Sequence, residues 1–121
     1  MDDDVTIQRV AAKILPRLGL AVDFALDGQQ AVHMYQDALA AGKRYDVVIM
    51  DLTIPGGMGG KEAIVSLRAL DPAVNAIVSS GYSSDPVMAD FRAHGFSGMV
   101  AKPYDITELL KTVRRVLEPH A

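Results

Sequence analysis

The sequence predicts an α/β protein with a doubly wound parallel sheet, and three observations favour this fold class. Helix-like and strand-like patterns alternate along the 121 residues, an order typical of parallel strands joined by right-handed crossovers. Residues 46–50 form an apolar run of the kind found in strands covered by helices on both faces. Polar residues follow the strand candidates at their carboxyl ends, where ligands bind in such sheets.

Residues 5–18 have apolar side chains at near-helical spacing and predict the first helix. Pro16 predicts a kink or a distorted last turn, because proline removes a backbone donor and crowds the preceding turn. Gly19 predicts the end of this helix. Residues 21–26 are mostly apolar and predict a short strand that follows it.

The rest of the chain repeats this alternation of helix and strand. The predicted helices are residues 29–41, 61–70, 86–94 and a last one ending at residue 117, and the predicted strands are residues 46–50, 75–79 and 98–101. Pro86 suits the first turn of its helix. Asp105, with Glu108 three residues later, resembles a capping box at the start of the last helix.

Composition limits the possible functions. The length and the 50% of hydrophobic residues suit one core, so we expect residues 1–121 to form a single domain. The net charge of −3 gives no basic surface for direct nucleic-acid binding. No apolar run approaches the roughly 20 residues that span a bilayer, and the acidic start is unlike a signal peptide. We therefore expect a cytoplasmic domain without membrane contact. The lack of cysteine excludes disulfides and thiolate metal sites.

Polar residues from several elements are predicted to meet at one edge of the sheet. Asp51 follows the predicted strand at residues 46–50 and precedes a glycine-rich loop, while Ser80 and Lys102 follow the next two strands. Asp2 and Asp3 open the first helix at the same edge. Each residue has an ordinary explanation by itself, such as a helix cap or a solvated surface charge. The five residues together indicate a functional site far more specifically than any one of them alone.

Such a cluster suits chemistry on a phosphoryl group. Carboxylates and a backbone carbonyl can bind Mg²⁺, which prefers oxygen ligands. The metal and the Lys102 ammonium would neutralise charge on a transferring phosphoryl group. We predict that the Asp51 carboxylate is the nucleophile and that the Ser80 hydroxyl donates to a phosphate oxygen.

This arrangement resembles the receiver domain of two-component response regulators over nearly the whole chain. The motifs that carry the resemblance are Asp2-Asp3, Met50-Asp51-Leu52-Thr53, Ser80-Gly81 and Lys102-Pro103. It implies that Asp51 is the phosphoacceptor and that Asp2 and Asp3 bind Mg²⁺. It also implies that the backbone carbonyl of Thr53 contacts the metal. Ser80 would be the switch hydroxyl and Lys102 the phosphate-contacting lysine, followed by a cis proline.

The resemblance also carries expectations about topology and partners. It implies a flavodoxin-like sheet with strand order 2-1-3-4-5 and a histidine kinase or histidine phosphotransfer domain as the phosphoryl donor. The loop sequences at residues 50–60, 80–83 and 102–104 look like those of receivers in hybrid sensor histidine kinases. Such a domain is not a stand-alone enzyme beyond its own phosphorylation and dephosphorylation.

Three departures from the family pattern matter. The first strand is missing, because the first helix begins almost at Met1. The loop at Gly56-Gly57 carries an extra residue, and Met99 stands at the aromatic switch position. We expect either an upstream strand in the natural protein, or a rearranged sheet or an exchange of elements in a homodimer. We also expect the acidic pair to be displaced without that strand.

Two other functions compete with this interpretation. A degenerate receiver would serve only as a protein-interaction module, and the full set of site residues argues against it. A haloacid-dehalogenase-type phosphatase would also use a strand-end aspartate, but it would carry a second aspartate at the position of Thr53. Phosphorylation by a small-molecule donor distinguishes a working receiver from an inert one.

Overall fold

A computed structural model gives the fold of the chain and describes residues 1–82 and 84–118. Within these residues, three strands form one parallel sheet in the order β1-β2-β3. The strands are β1 (Val48–Asp51), β2 (Ala76–Ser80) and β3 (Gly98–Ala101). The observed order corresponds to the last three strands of the predicted receiver sheet, so the predicted fold class is confirmed.

Helices connect the strands, and each begins close to its predicted position. The α-helices are α1 (Val5–Ile14), α2 (Gly28–Ala40), α3 (Gly60–Leu70), α4 (Pro86–Ala89) and α5 (Ile106–Leu117). Pro16 lies in a 3-10 turn, Leu15–Leu18, that ends the first helix, which confirms the predicted distortion. The single helix predicted over residues 86–94 is wrong, because a second 3-10 turn, Phe91–His94, follows α4. No helix in the described part of the chain is long and apolar enough to cross a membrane.

Two apolar clusters cover the two faces of the sheet. Met50, Ala76 and Val78 face the cluster formed with α2, α3 and α4. Ile77 and Val100 face the opposite cluster, formed with α1, its 3-10 turn and α5. Because β2 is central, all five of its residues are buried. This double cover explains why the inner strands have apolar runs rather than alternating patterns.

The strand predicted at residues 21–26 is absent, because the described structure has no regular element between the 3-10 turn and α2. A strand is stable only when its backbone groups pair with a neighbour, and the neighbouring position is mostly open. Among the described residues, Met1 and Asp2 lie between this segment and β1: the Asp2 N–H donates to the Ala25 carbonyl (3.0 Å), and the Asp51 N–H donates to the Met1 carbonyl (2.9 Å).

A cavity of about 340 Å³ lies beneath Met1, between the segment around Val22 and the start of β1. The segment does not move across to pair with β1, so the predicted rearrangement of the sheet is not seen. The three described strands therefore keep the expected order, and no further strand of the described residues pairs with β1 on the side away from β2.

Candidate functional site

Register brings the carboxyl ends of the strands to one edge of the sheet. Asp51 at the end of β1 lies beside Ser79, and Ser79 in turn lies beside Val100 of β3. Ser80 and Ala101 form the last pair, directly before Lys102. The predicted strand-end residues therefore share one edge, as the sequence pattern indicated.

Three carboxylates meet at this edge. One carboxylate oxygen each from Asp2, Asp3 and Asp51 lies within 4.8 Å of the other two. Asp2 and Asp51 are buried, whereas Asp3 is exposed. An acidic group with one solvent-facing member can take a hydrated cation, because Mg²⁺ retains several of its waters.

The acidic pair is held close to Asp51, so the expected displacement is wrong. The Met1 amine donates to the Ile49 carbonyl (2.6 Å), and the Gln8 side chain donates to the Asp2 carbonyl (2.8 Å). Asp4 caps α1 by accepting a hydrogen bond from the Thr6 N–H (2.8 Å). These bonds fix the turn that presents Asp2 and Asp3.

Lys102 reaches from the end of β3 into the acidic cluster. Its Nζ lies 2.6 Å from an Asp2 oxygen and 2.9 Å from an Asp51 oxygen, and its side chain is 16% exposed. The Lys102 N–H donates to the Ser80 carbonyl (2.9 Å), which ties the base of the side chain to β2. The Lys102–Pro103 peptide is cis, as predicted.

Burial and charge shift the pKa of both partners of this ion pair. Burial raises the pKa of Asp51 and outweighs the opposing effect of the Lys102 ammonium. Burial acts against the charge of Lys102 too, but its hydrogen bonds to Asp2 and Asp51 prevail and raise the pKa of Lys102. The lysine is therefore charged at neutral pH, and each carboxylate depends on it for compensation.

The loop after Asp51 is tightly folded back onto β1. The Gly60 N–H donates to the Leu52 carbonyl (3.2 Å). A Cβ on Gly59 would lie 2.2 Å from the same carbonyl oxygen, so this position excludes other residues. Thr53 is exposed, and its N–H lies 3.5 Å from an Asp51 oxygen. The backbone of Thr53 is thus close to the Asp51 carboxylate.

Ser80 and Met99 show the state of the predicted switch elements. Ser80 is buried, and its Oγ accepts a hydrogen bond from the Tyr82 N–H (3.0 Å). Met99 is half-buried and packs against the cluster formed by α2, α3 and α4. A methionine at this place has no hydroxyl to donate, so the packing is apolar.

Sequence reasoning missed one contact beside the site. The Tyr104 hydroxyl lies 2.9 Å from the Ser79 Oγ, and Ser79 is fully buried next to Asp51. The available signal was the tyrosine directly after Pro103, together with a hydroxyl residue ahead of Ser80. Neither one indicates a contact without the spatial arrangement of β2 and the segment after β3.

Comparison with known proteins agrees with this geometry. The model of the response regulator receiver domain family matches residues 1–114. The chain belongs to this family, the receiver domains of two-component signalling systems.

Relatives include a response regulator receiver protein from Anaeromyxobacter sp., 31% identical over 110 residues, which are 91% of this chain and 44% of the relative. The transcription factor SKN7 of Chaetomium thermophilum is 30% identical over 97% of this chain but only 15% of its own length. The chain thus spans less than half the length of either relative.

A solved structure gives a close match to the whole fold. The receiver domain of the sensor histidine kinase PA1611 from Pseudomonas aeruginosa PAO1, with a magnesium ion coordinated in its active-site cleft, superposes with a TM-score of 0.81. It is 26% identical, and the match covers 97% of this chain and 93% of that one.

Proposed function

We propose that residues 1–121 form one receiver domain that accepts a phosphoryl group from a kinase phosphohistidine onto Asp51, in a Mg²⁺-dependent reaction, and changes conformation in response. The observation that carries this proposal is the Lys102 ammonium between the buried carboxylates of Asp51 and Asp2 at the strand ends. Burying such a group of charges costs free energy, and groups of this kind cluster at functional sites.

Asp51 is suited to be the nucleophile. One of its carboxylate oxygens attacks phosphorus, the P–N bond of the phosphohistidine breaks, and its electron pair stays on the imidazole, which takes up a proton. The reaction needs the ionised carboxylate, and burial alone would disfavour that form. The ammonium of Lys102, 2.9 Å from an Asp51 oxygen, favours the ionised form and can then bind the negatively charged phosphoryl oxygens.

The acidic cluster is suited to hold Mg²⁺. Asp2, Asp3 and Asp51 would bind the ion, because their oxygens converge within 4.8 Å and carboxylates are preferred ligands. When bound, the ion neutralises negative charge on the phosphoryl group. Thr53 would add its backbone carbonyl, as the family resemblance implies. The magnesium in the active-site cleft of the PA1611 receiver supports this choice of metal.

Ser80 would report the phosphorylated state. Its Oγ accepts from the Tyr82 N–H at rest, which leaves the hydroxyl hydrogen available to a phosphate oxygen. Recruitment of this hydroxyl would pull on the loop that begins at Gly81 and leads to α4. The phosphoryl group shifts the equilibrium between the resting and the phosphorylated conformation only as far as its interaction free energies with the two conformations differ.

The proposed phosphoryl donor is a histidine kinase or a histidine phosphotransfer domain. The match to the receiver of a sensor histidine kinase supports a hybrid kinase as the parent protein. We propose a cytoplasmic location, without direct contact to nucleic acid or membrane.

The test is phosphorylation by acetyl phosphate with Mg²⁺, followed by intact-mass measurement. We expect one phosphoryl group on the parent chain and none on Asp51→Asn. Asp46→Asn is the matched control, because Asp46 is an exposed acid just ahead of the same strand. It should be phosphorylated like the parent.

Two results would contradict the proposal. A phosphoryl group retained by Asp51→Asn at parental yield would place the acceptor elsewhere. A parent chain that reacts neither with acetyl phosphate nor with beryllofluoride, with Mg²⁺ present, would indicate a receiver that serves only for protein contacts.

A further inference from the structure

The segment after β3 is tied to the central strand at two points. The Lys102 N–H donates to the Ser80 carbonyl (2.9 Å), and two residues later the Tyr104 hydroxyl is hydrogen-bonded to the Ser79 Oγ (2.9 Å). Ser79 and Ser80 both lie at the end of β2. Residues 102–104 are therefore fastened at each end to the strand that lies between β1 and β3.

The side-chain bond lies directly beside the acidic cluster. Ser79 is 0% exposed and is the register partner of Asp51. Registered residues of a parallel sheet point to the same face, so the Ser79 hydroxyl lies on the face of the Asp51 side chain. Tyr104 packs against the apolar cluster of α1 and α5 on that face.

A buried hydroxyl needs a partner, and these two satisfy each other. Within the described residues, the Ser79 Oγ has Tyr104 as its hydrogen-bond partner, and the reverse holds for the tyrosine hydroxyl. Removing the Tyr104 hydroxyl leaves the fully buried Ser79 hydroxyl without this partner, which costs more than the bond itself contributes. The pair is thus a specific link and not only packing of an aromatic ring.

We propose that Tyr104 is a positioning residue for Lys102, acting through Ser79. This inference rests on the proposed function, because it assigns a role in phosphoryl transfer to Asp51. The lysine side chain is long and flexible, and its Nζ must stay close to two carboxylates. Fixing the chain on both sides of Pro103 holds the base of the side chain, and small displacements of a charged group slow a transfer reaction considerably.

The decisive variant is Tyr104→Phe, which keeps the ring and removes the hydroxyl. We expect phosphorylation by acetyl phosphate to slow by about threefold to tenfold, the range that one hydrogen bond of this kind can supply. The affinity for Mg²⁺ should not fall, because Asp2, Asp3 and Asp51 are held by α1 and β1. A merely structural loss would weaken both properties together.

Tyr45→Phe is the matched control. It also removes a tyrosine hydroxyl that is hydrogen-bonded, in this case to Asp23 (2.8 Å), away from the acidic cluster. Its phosphorylation rate should equal that of the parent. A Tyr104→Phe variant that reacts as fast as Tyr45→Phe would overturn the inference.

Ser79→Ala tests the other end of the link. It should slow phosphorylation to a similar degree, and the double variant should be no slower than the slower single variant, because both changes remove the same bond. Effects that multiply in the double variant would show that the two residues act separately, and that result would also overturn the inference.

Amide exchange of the unphosphorylated chain separates this inference from the proposed function. In Tyr104→Phe the Lys102 amide should exchange faster, while the Val48 amide, which donates to Asn75 at the far end of the sheet, should not change. Equal exchange of Lys102 in the variant and the parent would refute the link. A parent chain that cannot be phosphorylated would refute the proposed function instead.

Discussion

One lysine is shared by two buried carboxylates, and this sharing determines the charge of the resting site. The distances from Lys102 Nζ are 2.6 Å to Asp2 and 2.9 Å to Asp51, while Asp3 has no ion pair with a lysine among the described residues. The cluster therefore keeps an excess of negative charge. Buried like charges disfavour one another, so the site is electrostatically unfavourable in the absence of a cation.

Asp51→Asn should therefore stabilise the chain at neutral pH. Burial raises the pKa of Asp51 in the folded state, so ionising this residue opposes folding, and asparagine removes that cost. A tenfold difference in proton affinity corresponds to about 1.4 kcal/mol. Urea denaturation of the parent and the variant without Mg²⁺ measures the gain.

The pH dependence of this gain has a definite sign. Because the folded pKa of Asp51 is raised, the parent loses stability as the pH rises from the unfolded value of 3.8 through the folded pKa. The advantage of Asp51→Asn should therefore vanish at the acidic end and be complete above the folded pKa. If the stability advantage of Asp51→Asn grew on acidification, that result would contradict a raised pKa of Asp51 in the folded state.

Lys102→Ala should affect phosphorylation more than folding. It removes the ammonium beside Asp51, so we expect the rate with acetyl phosphate to fall by about 10²-fold or more, as for other groups that stabilise developing charge. Lys111→Ala, an exposed lysine on α5, is the control and should react normally. Circular dichroism near that of the parent is expected for both, and an unimpaired rate in Lys102→Ala would exclude the proposed role.

The candidate site residues were predictable from the sequence where they follow a predicted strand. Asp51, Ser80 and Lys102 each follow an apolar run, and parallel register must bring such residues to one edge. The Tyr104–Ser79 bond was not predictable, because it depends on the path of the chain after Pro103. Asp2 is an intermediate case: its chemistry was evident, but the bonds that hold it involve Ala25 and Gln8.

Among the elements, the predicted strands are observed where a neighbouring strand pairs with them. Residues 46–50, 75–79 and 98–101 lie within one or two residues of the observed β1, β2 and β3. The segment 21–26 has a comparable composition but no strand beside it, and composition alone does not pair a backbone. The helix predicted at residues 86–94 is divided at Asp90, whose φ of −128° and ψ of 51° lie outside the helical region.

The segment around α4 should be the part that responds to phosphorylation. α4 has four residues and follows a loop anchored to Ser80 through the Tyr82 N–H. Few internal hydrogen bonds make such a segment easy to open. Beryllofluoride with Mg²⁺ should change amide exchange most within residues 79–82 and 84–90, and α2 should serve as the unchanged reference.

Identical exchange of this segment with and without beryllofluoride, despite a bound fluoride complex, would contradict the prediction. The apolar packing of Met99 against the α2, α3 and α4 cluster would then be the first place to look. Met99→Tyr would test whether an aromatic hydroxyl at this position restores the response.

In the molecule as a whole, β1 is an edge strand of the sheet that the described residues form. The Val48 N–H donates to the carbonyl of Asn75, just before β2, and the Leu52 N–H donates to the carbonyl of Ser79 in β2. The backbone groups of the alternate residues of β1 therefore point away from β2. There Ile49 and Asp51 are paired with Met1, while the cavity of about 340 Å³ extends along residues 46–49. The Met1 amine lies in this poorly solvated place, and burial lowers its pKa to about 6.

Lengthening the chain ahead of Met1 by four β-branched apolar residues should fill this cavity and raise the free energy of unfolding. The added strand would run parallel to β1 and convert the buried amine into a peptide group. Apolar burial of about 1.5–3 kcal/mol per side chain and about 1 kcal/mol per hydrogen bond exceed the ordering cost of about 1–2 kcal/mol per residue for the backbone. We expect a net gain of about 2–5 kcal/mol in urea denaturation, with light scattering to follow the oligomeric state.

A glycine-serine extension of equal length is the control, because it can pair its backbone but cannot fill the cavity. Equal stability of the two extended chains would mean that the added strand contributes hydrogen bonds alone. Equal stability of both with the parent would mean that the gap beside β1 costs the fold nothing.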